Sequence, residues 1–281
     1  MSPQAAQPNP PAAASVPIRP PKTLLRLTGR AIMEFDMIHP GDRVLLALSG
    51  GKDSMSLLHV LLALQRRSPV KFALAAATVD PGIDGFDPSY LQDYVPRLGL
   101  PYFYRQERVV ERALKTMHGD SFCAYCARIR RGVLYDVARR EGYSVLALAQ
   151  HLDDLAESFL MSAFFNGRLR TMKAHYRVDA GDLRVIRPFL YVRERQTADF
   201  ARRADFPTIL DNCPACFRMP TQRHEMKRLL AEQERAHPRL FASLLETMRP
   251  LFSQASGRAR TPELRPGEAA MPLPERDGVS R

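Results

Sequence analysis

An α/β fold with a mainly parallel sheet, doubly wound by helices on both faces, is what this chain predicts, and three observations carry that reading. Three short apolar runs, 43–48, 72–79 and 144–149, each end in a loop that precedes a plausible helix. In such folds ligands collect at the carboxyl ends of the strands, where all three loops would lie. The first of these loops, Ser49-Gly50-Gly51-Lys52-Asp53-Ser54, has the composition of an anion site.

In chain order, residues 1–22 are rich in Pro and Ala and lack a basic start followed by an unbroken apolar segment, which predicts a flexible tail and not a signal peptide. Residues 24–37 have helical apolar spacing. The run 43–48 reads as a buried strand stopped by Ser49-Gly50-Gly51. From Asp53 the apolar residues Met55, Leu57, Leu58, Leu61, Leu62 and Leu64 continue without a breaker to Gln65, predicting a helix capped by Asp53 or Ser54. The second run stops at Asp80-Pro81-Gly82 and the third at Gln150-His151. A catalytic body is expected over 23–216, helices over 217–253, and a disordered tail over 254–281, where Pro, Arg, Gly and Glu take over. The chain carries no internal repeat.

The 281 residues, 45% of them apolar, allow one full-sized catalytic domain with appendages. No apolar stretch approaches bilayer length, so a soluble cytoplasmic protein without a membrane partner is expected. A formal charge of +11 favours a polyanionic partner, nucleic acid first. The four cysteines form two pairs, Cys123/Cys126 and Cys213/Cys216, and with no export signal they point to metal or redox chemistry before disulfides.

The segment Ser49 to Ser54 is a strand-to-helix turn in which two glycines let backbone N–H groups approach an anion closely. A Walker A loop is excluded, because Leu46 stands where its first Gly is needed and Asp53 follows the lysine in place of Ser or Thr. The segment instead resembles the PP-loop of the N-type ATP pyrophosphatases, which cleave ATP between the α and β phosphates and transfer AMP to an acceptor. In that superfamily the end of the second strand, here Val79-Asp80, contacts the nucleoside, and a His-x-Asp-Asp loop, here His151-Leu152-Asp153-Asp154, follows a later strand. The resemblance implies that ATP is held by Ser49, Gly50, Gly51, Lys52, Asp53, Ser54, Asp80, His151 and Asp154, with Lys52 and Asp53 catalytic. Paired carboxylates beside a triphosphate can hold Mg²⁺, with Asp153 the metal ligand, although the same pair also reads as a helix N-terminal cap.

Within the superfamily, Cys123-Ala-Tyr-Cys126-Ala-Arg-Ile-Arg-Arg-Gly132 is similar to the tRNA 2-thiocytidine synthetase family, in which a Cys-x-x-Cys pair leads into an Arg-rich helix. The likeness runs from about 45 to 216 and takes in Arg187-Pro188-Phe189 and the second Cys-x-x-Cys. It implies a [4Fe-4S] cluster held by Cys123, Cys126 and Cys213, leaving Cys216 spare and one iron open for the sulfur to be transferred, so that Cys123 and Cys126 also count as catalytic. It further implies a tRNA substrate with an anticodon-loop cytidine as target, a sulfur donor that is sulfide or a persulfide carrier, and a homodimer. Arg128, Arg130, Arg131, Arg168, Arg170 and Lys173 are candidates for the RNA backbone.

The residues alone leave other chemistries open. Four thiolates can close a zinc tetrahedron, and one pair can act as a redox dithiol. A tRNA ligase resembling lysidine synthetase would share the phosphate loop without needing the cysteines, and a zinc-stabilised module would bind ATP without turning it over. The family's Gly-His-His-x-Asp-Asp reads Ala149-Gln150-His151-Leu152-Asp153-Asp154 here, without the first Gly and His, so nucleotide contacts at that loop are expected to differ.

Overall fold

The structure is a computed structural model, and it describes residues 18–83, 85–109, 112, 122–209 and 222–253. Strands β1 (Arg43–Ala47), β2 (Ala73–Asp80), β3 (Tyr102–Gln106), β4 (Val145–Ala147), β5 (His175–Arg177) and β6 (Arg184–Ile186) form one sheet in the order β3-β2-β1-β4-β6-β5. Four of the pairings are parallel, and β5 runs antiparallel on β6. From β1 the chain first winds outward through β2 and β3, then returns to lay β4 and β6 on the other side. That reversal opens a crevice above β1 and β4, the place where doubly wound sheets bind ligands.

Alternation along the strands sorts the side chains into two cores. Val44, Leu46, Leu74, Ala76, Val145 and Ala147 face the larger one. It is filled by α1 (Lys22–Glu34), α2 (Lys52–Arg67), α3 (Ser89–Arg97), α5 (Leu152–Asn166), α6 (Glu194–Arg203), α7 (Gln222–Ala236) and α8 (Leu240–Met248). Leu45, Ala75, Ala77 and Leu146 face the other, which α4 (Phe122–Arg140) covers with Leu134, Val137 and Ala138. Strands buried on both sides carry no polar face, which is why the three central runs read as continuous apolar stretches.

Two local expectations need correction. The first helix begins at Lys22 and Pro20 is already buried, so ordered structure reaches into the segment expected to be tail. Gly51, not Asp53 or Ser54, is the N-cap of α2. The helix starts two residues early because Ser54 turns its hydroxyl back on the Gly51 carbonyl at 3.0 Å, freeing the Asp53 carboxylate for other partners. Residues 1–17 and 254–281 lie outside the described residues. No helix among the described residues is long and apolar enough to cross a membrane.

Candidate active site

The turn leaving β1 is shaped by its own hydroxyls. Ser49 Oγ and Ser54 Oγ share a hydrogen bond at 3.1 Å, and the Gly51 N–H donates to Ser49 Oγ at 3.3 Å. Gly50 sits at φ +79°, where a side chain is strained, and a Cβ there would collide with Ile209 Cδ1. The Ile209 N–H also donates to the Gly50 carbonyl at 3.0 Å, so the stretch after α6 rests directly on the turn. With glycine as its N-cap, α2 presents its positive end without a side chain over it.

Charged groups converge beside that end. Lys52 Nζ donates to Asp53 Oδ2 and to Glu194 Oε1, both at 2.9 Å, and Glu194 also receives Lys227 of α7 at 2.7 Å. Burial alone would lower the Lys52 pKa, but Asp53 and Glu194 more than offset it and the amine stays firmly protonated. Burial likewise opposes ionisation of Glu194, yet hydrogen bonds from Lys227 and Lys52 hold its carboxyl at about 2. The second Asp53 oxygen accepts the Thr197 hydroxyl. Lys52 is therefore a fixed cation whose protein counter-ions hold it at the mouth of the turn.

The loop after β4 supplies the opposite wall. His151 and Asp154 form a reciprocal cap on α5: the Asp154 N–H donates to His151 Nδ1 at 3.3 Å, and the His151 N–H donates to Asp154 Oδ2 at 3.0 Å. An accepting Nδ1 puts the proton of the neutral ring on Nε2, which lies 3.8 Å from Asp53 Oδ2. Asp153 is committed elsewhere. It accepts the Glu194 N–H at 2.7 Å and the Arg193 guanidinium at 3.0 Å, and Arg193 in turn grips Glu234 of α7 at 2.7 Å. Of the two readings of the paired carboxylates, the cap is the one the structure shows, on Asp154, while Asp153 ties α5 to α6.

Asp80, at the end of β2, accepts the Gly82 N–H at 2.7 Å and the Tyr104 hydroxyl at 2.6 Å, so its carboxylate orders its own loop. Burial and that carboxylate push the Tyr104 hydroxyl up to about 12. Among the described residues no three His, Cys, Asp or Glu side chains are arranged to hold a metal ion.

Cys123 and Cys126 fall three residues apart at the start of α4. That helix ends where the Ser144 N–H meets the Arg43 carbonyl at the amino edge of the sheet, so its nineteen residues carry its start toward the carboxyl edge, the side of the phosphate turn. Cys126 is half-buried. Cys213 and Cys216 lie outside the described residues, and the chain enters their segment from Ile209. Of the basic candidates, Arg128, Arg168 and Arg170 are exposed and Arg130 and Arg131 half-buried. The Lys173 ammonium donates to the carbonyls of Leu251 and Ser253, a structural tie to the end of the described chain.

The sequence reading missed Arg193, Glu194, Thr197, Arg223 and Lys227. For the first three, a charged pair at a helix start, separated by three residues from Arg187-Pro188-Phe189, was the available signal. It also missed Glu157, which is buried on α5 with Arg223 at 3.1 Å. Burial, reinforced by Asp154, raises Glu157 from 4.5 to about 7. Because the folded value is the higher one, the native state binds the proton more tightly, and stability is lost as pH rises from 4.5 through about 7. Glu157→Gln is expected to flatten the dependence of Tm on pH between about pH 5 and pH 8 in thermal unfolding. An unchanged slope would remove Glu157 as its cause.

A family model described as a PP-loop domain matches residues 26–230. The tRNA-cytidine(32) 2-sulfurtransferase of Geobacter sulfurreducens is 41% identical over 228 residues, 81% of this chain and 89% of that one. The enzyme of the same name from Geobacter metallireducens is 42% identical over 223 residues, 78% of this chain and 86% of its own. Among solved structures, the U34-tRNA thiolase NcsA from Methanococcus maripaludis with its [4Fe-4S] cluster superposes with a TM-score of 0.65. It covers 84% of this chain and 81% of its own at 22% identity, a likeness of fold.

Proposed function

Since the chain belongs to the PP-loop family and, within it, to the tRNA-cytidine(32) 2-sulfurtransferases, we propose that it adenylates a tRNA cytidine with ATP and exchanges the C2 oxygen for sulfur. The observation that carries this reading is the meeting of the Ser49 to Ser54 turn with the His151 loop around one buried-edge lysine, Lys52. The turn's N–H groups and the end of α2 receive the phosphates. Lys52, already charged and oriented, exchanges protein carboxylates for phosphate oxygens, and with Mg²⁺ it offsets the charge that builds on the departing pyrophosphate. His151 Nε2 stands 3.8 Å across from Asp53, whose carboxylate is held at the phosphate side by Lys52 and Thr197.

Bond by bond, the cytidine carbonyl oxygen bonds to the α-phosphorus as the bond to pyrophosphate breaks. Sulfur at the sulfide level then bonds to C2, the C–O bond breaks, and AMP leaves. Cys123 and Cys126 suit two corners of one [4Fe-4S] cluster, because positions three apart share one face of a helix. Cys213 would be the third ligand. When bound, the cluster supplies an iron position open to the sulfur. We place the catalytic body at 23–216, with α7 closing on it through Arg223, Lys227 and Glu234 and α8 through Phe241 and Met248, and the protein in the cytoplasm as a homodimer. Its sulfur donor is sulfide, or a persulfide carrier whose outer sulfur a two-electron thiol reductant brings to the sulfide level.

ATP labelled on the α and γ phosphates, incubated with reconstituted protein, sulfide and tRNA, is expected to give AMP and pyrophosphate, with 2-thiocytidine in the digested RNA. ADP and orthophosphate in their place would end this reading.

A further inference from the structure

At its far end, α5 abandons the core. Its last buried residue is Phe159, and residues 164–170 are exposed without a break. Three of them are large and apolar: Phe164 is 59% exposed, Phe165 46% and Leu169 68%. Arg168 and Arg170 lie between and beside them, and neither guanidinium has a hydrogen bond or ion pair among the described residues. From 158 to 178 the sequence contains no Asp or Glu. The segment is not loose. Gly167 ends the helix in the left-handed region at φ 59°, Ser162 Oγ donates to the Arg168 carbonyl at 2.7 Å, and Thr171 Oγ1 donates to the Leu155 carbonyl at 2.7 Å.

Two aromatic faces held in water beside two arginines unpaired among the described residues have the chemistry of a single-strand platform, in which bases stack on the rings and the cations take the phosphates. We propose that residues 164–170 bind unpaired nucleotides flanking the target cytidine, with Phe164 and Phe165 under bases and Arg168 and Arg170 on the backbone. This rests on the reading of the protein as a tRNA-modifying enzyme. The placement suits it. Helix α5 begins at His151 in the nucleotide site, and Phe164 lies about 18 Å along it. That is a span of roughly five stacked nucleotides at 3.4 Å each. A second copy of the chain is the weaker occupant, because a two-fold contact would bring four arginines together with no acidic residue in the segment to meet them.

The test uses full-length protein and a fluorescent anticodon stem-loop RNA, with Kd measured across a salt series. F164A/F165A is expected to weaken binding by about tenfold or more while the slope of log Kd against log salt stays put. F164W/F165W, which keeps the rings, is expected to bind like the wild type. R168A/R170A is expected to weaken binding and reduce the slope by about 1.4. ATP affinity is expected to be unchanged in all three, showing that the fold survives. Unchanged RNA affinity in F164A/F165A overturns the platform, as does a shift from dimer to monomer in sedimentation, which would assign the patch to a copy-to-copy contact. If the wild type itself fails to bind the stem-loop, the functional reading falls and the platform with it. Wild-type binding that the variants merely match overturns the platform alone.

Discussion

Lys52→Ala is expected to slow tRNA-dependent pyrophosphate release by about 10²–10³-fold, the usual consequence of removing one preorganised charge from a developing anion. Lys52 is the cation nearest the α2 terminus, and its two carboxylate contacts at 2.9 Å fix the ammonium before any ligand arrives. The loss is expected in kcat more than in KM, because the charge matters most as pyrophosphate separates. Stability is expected to change little: Glu194 retains Lys227, and Asp53 retains the Thr197 hydroxyl, so neither carboxylate is stranded. Lys52→Arg is expected to recover only part of the rate, since a planar fork cannot occupy the position of a compact ammonium between Asp53 and Glu194. A Lys52→Ala enzyme releasing pyrophosphate at the wild-type rate would remove this lysine from the mechanism.

The parts of this molecule that show in its sequence are those governed by local physics. Three central strands are buried on both faces, so 43–48, 72–79 and 144–149 stand out as apolar runs, and the Ser49 to Ser54 turn needs glycines that leave a visible signature. Strand β3 gave no such signal, because Tyr102 to Arg105 are only half-buried and lack an apolar run. Strands β5 and β6 are three residues each, shorter than any periodicity can reveal.

The site shows the same division. Every group on the phosphate turn was legible, but the partners that position them come from 142 and 144 residues away: Glu194 on Lys52 and Thr197 on Asp53. A tertiary ion pair has no spacing to read. Asp153 illustrates the limit from the other side, since its place in a His-x-Asp-Asp loop suggests a metal ligand while the fold spends its oxygens on Arg193 and the Glu194 N–H.

Cys126→Ser is expected to abolish 2-thiocytidine formation and to remove the broad visible absorption of the anaerobically reconstituted protein, while leaving ATP cleavage in the presence of tRNA largely intact. The separation follows from position. Cys126 belongs to α4, on the sheet face opposite α2, so its side chain is no part of the Ser49 to Ser54 turn or of the Lys52 and Glu194 pair. It also follows from ligand chemistry, because iron clusters are held by soft thiolates and a serine hydroxyl is a poor replacement. Metal analysis sharpens the outcome. A colourless wild-type protein carrying one zinc per chain would mean that the cysteines close a structural tetrahedron, and Cys126→Ser would then lower Tm without a specific loss of sulfur transfer. Coloured protein whose Cys126→Ser form keeps both the absorption and the product would exclude Cys126 from the ligand set and leave the role to other thiols.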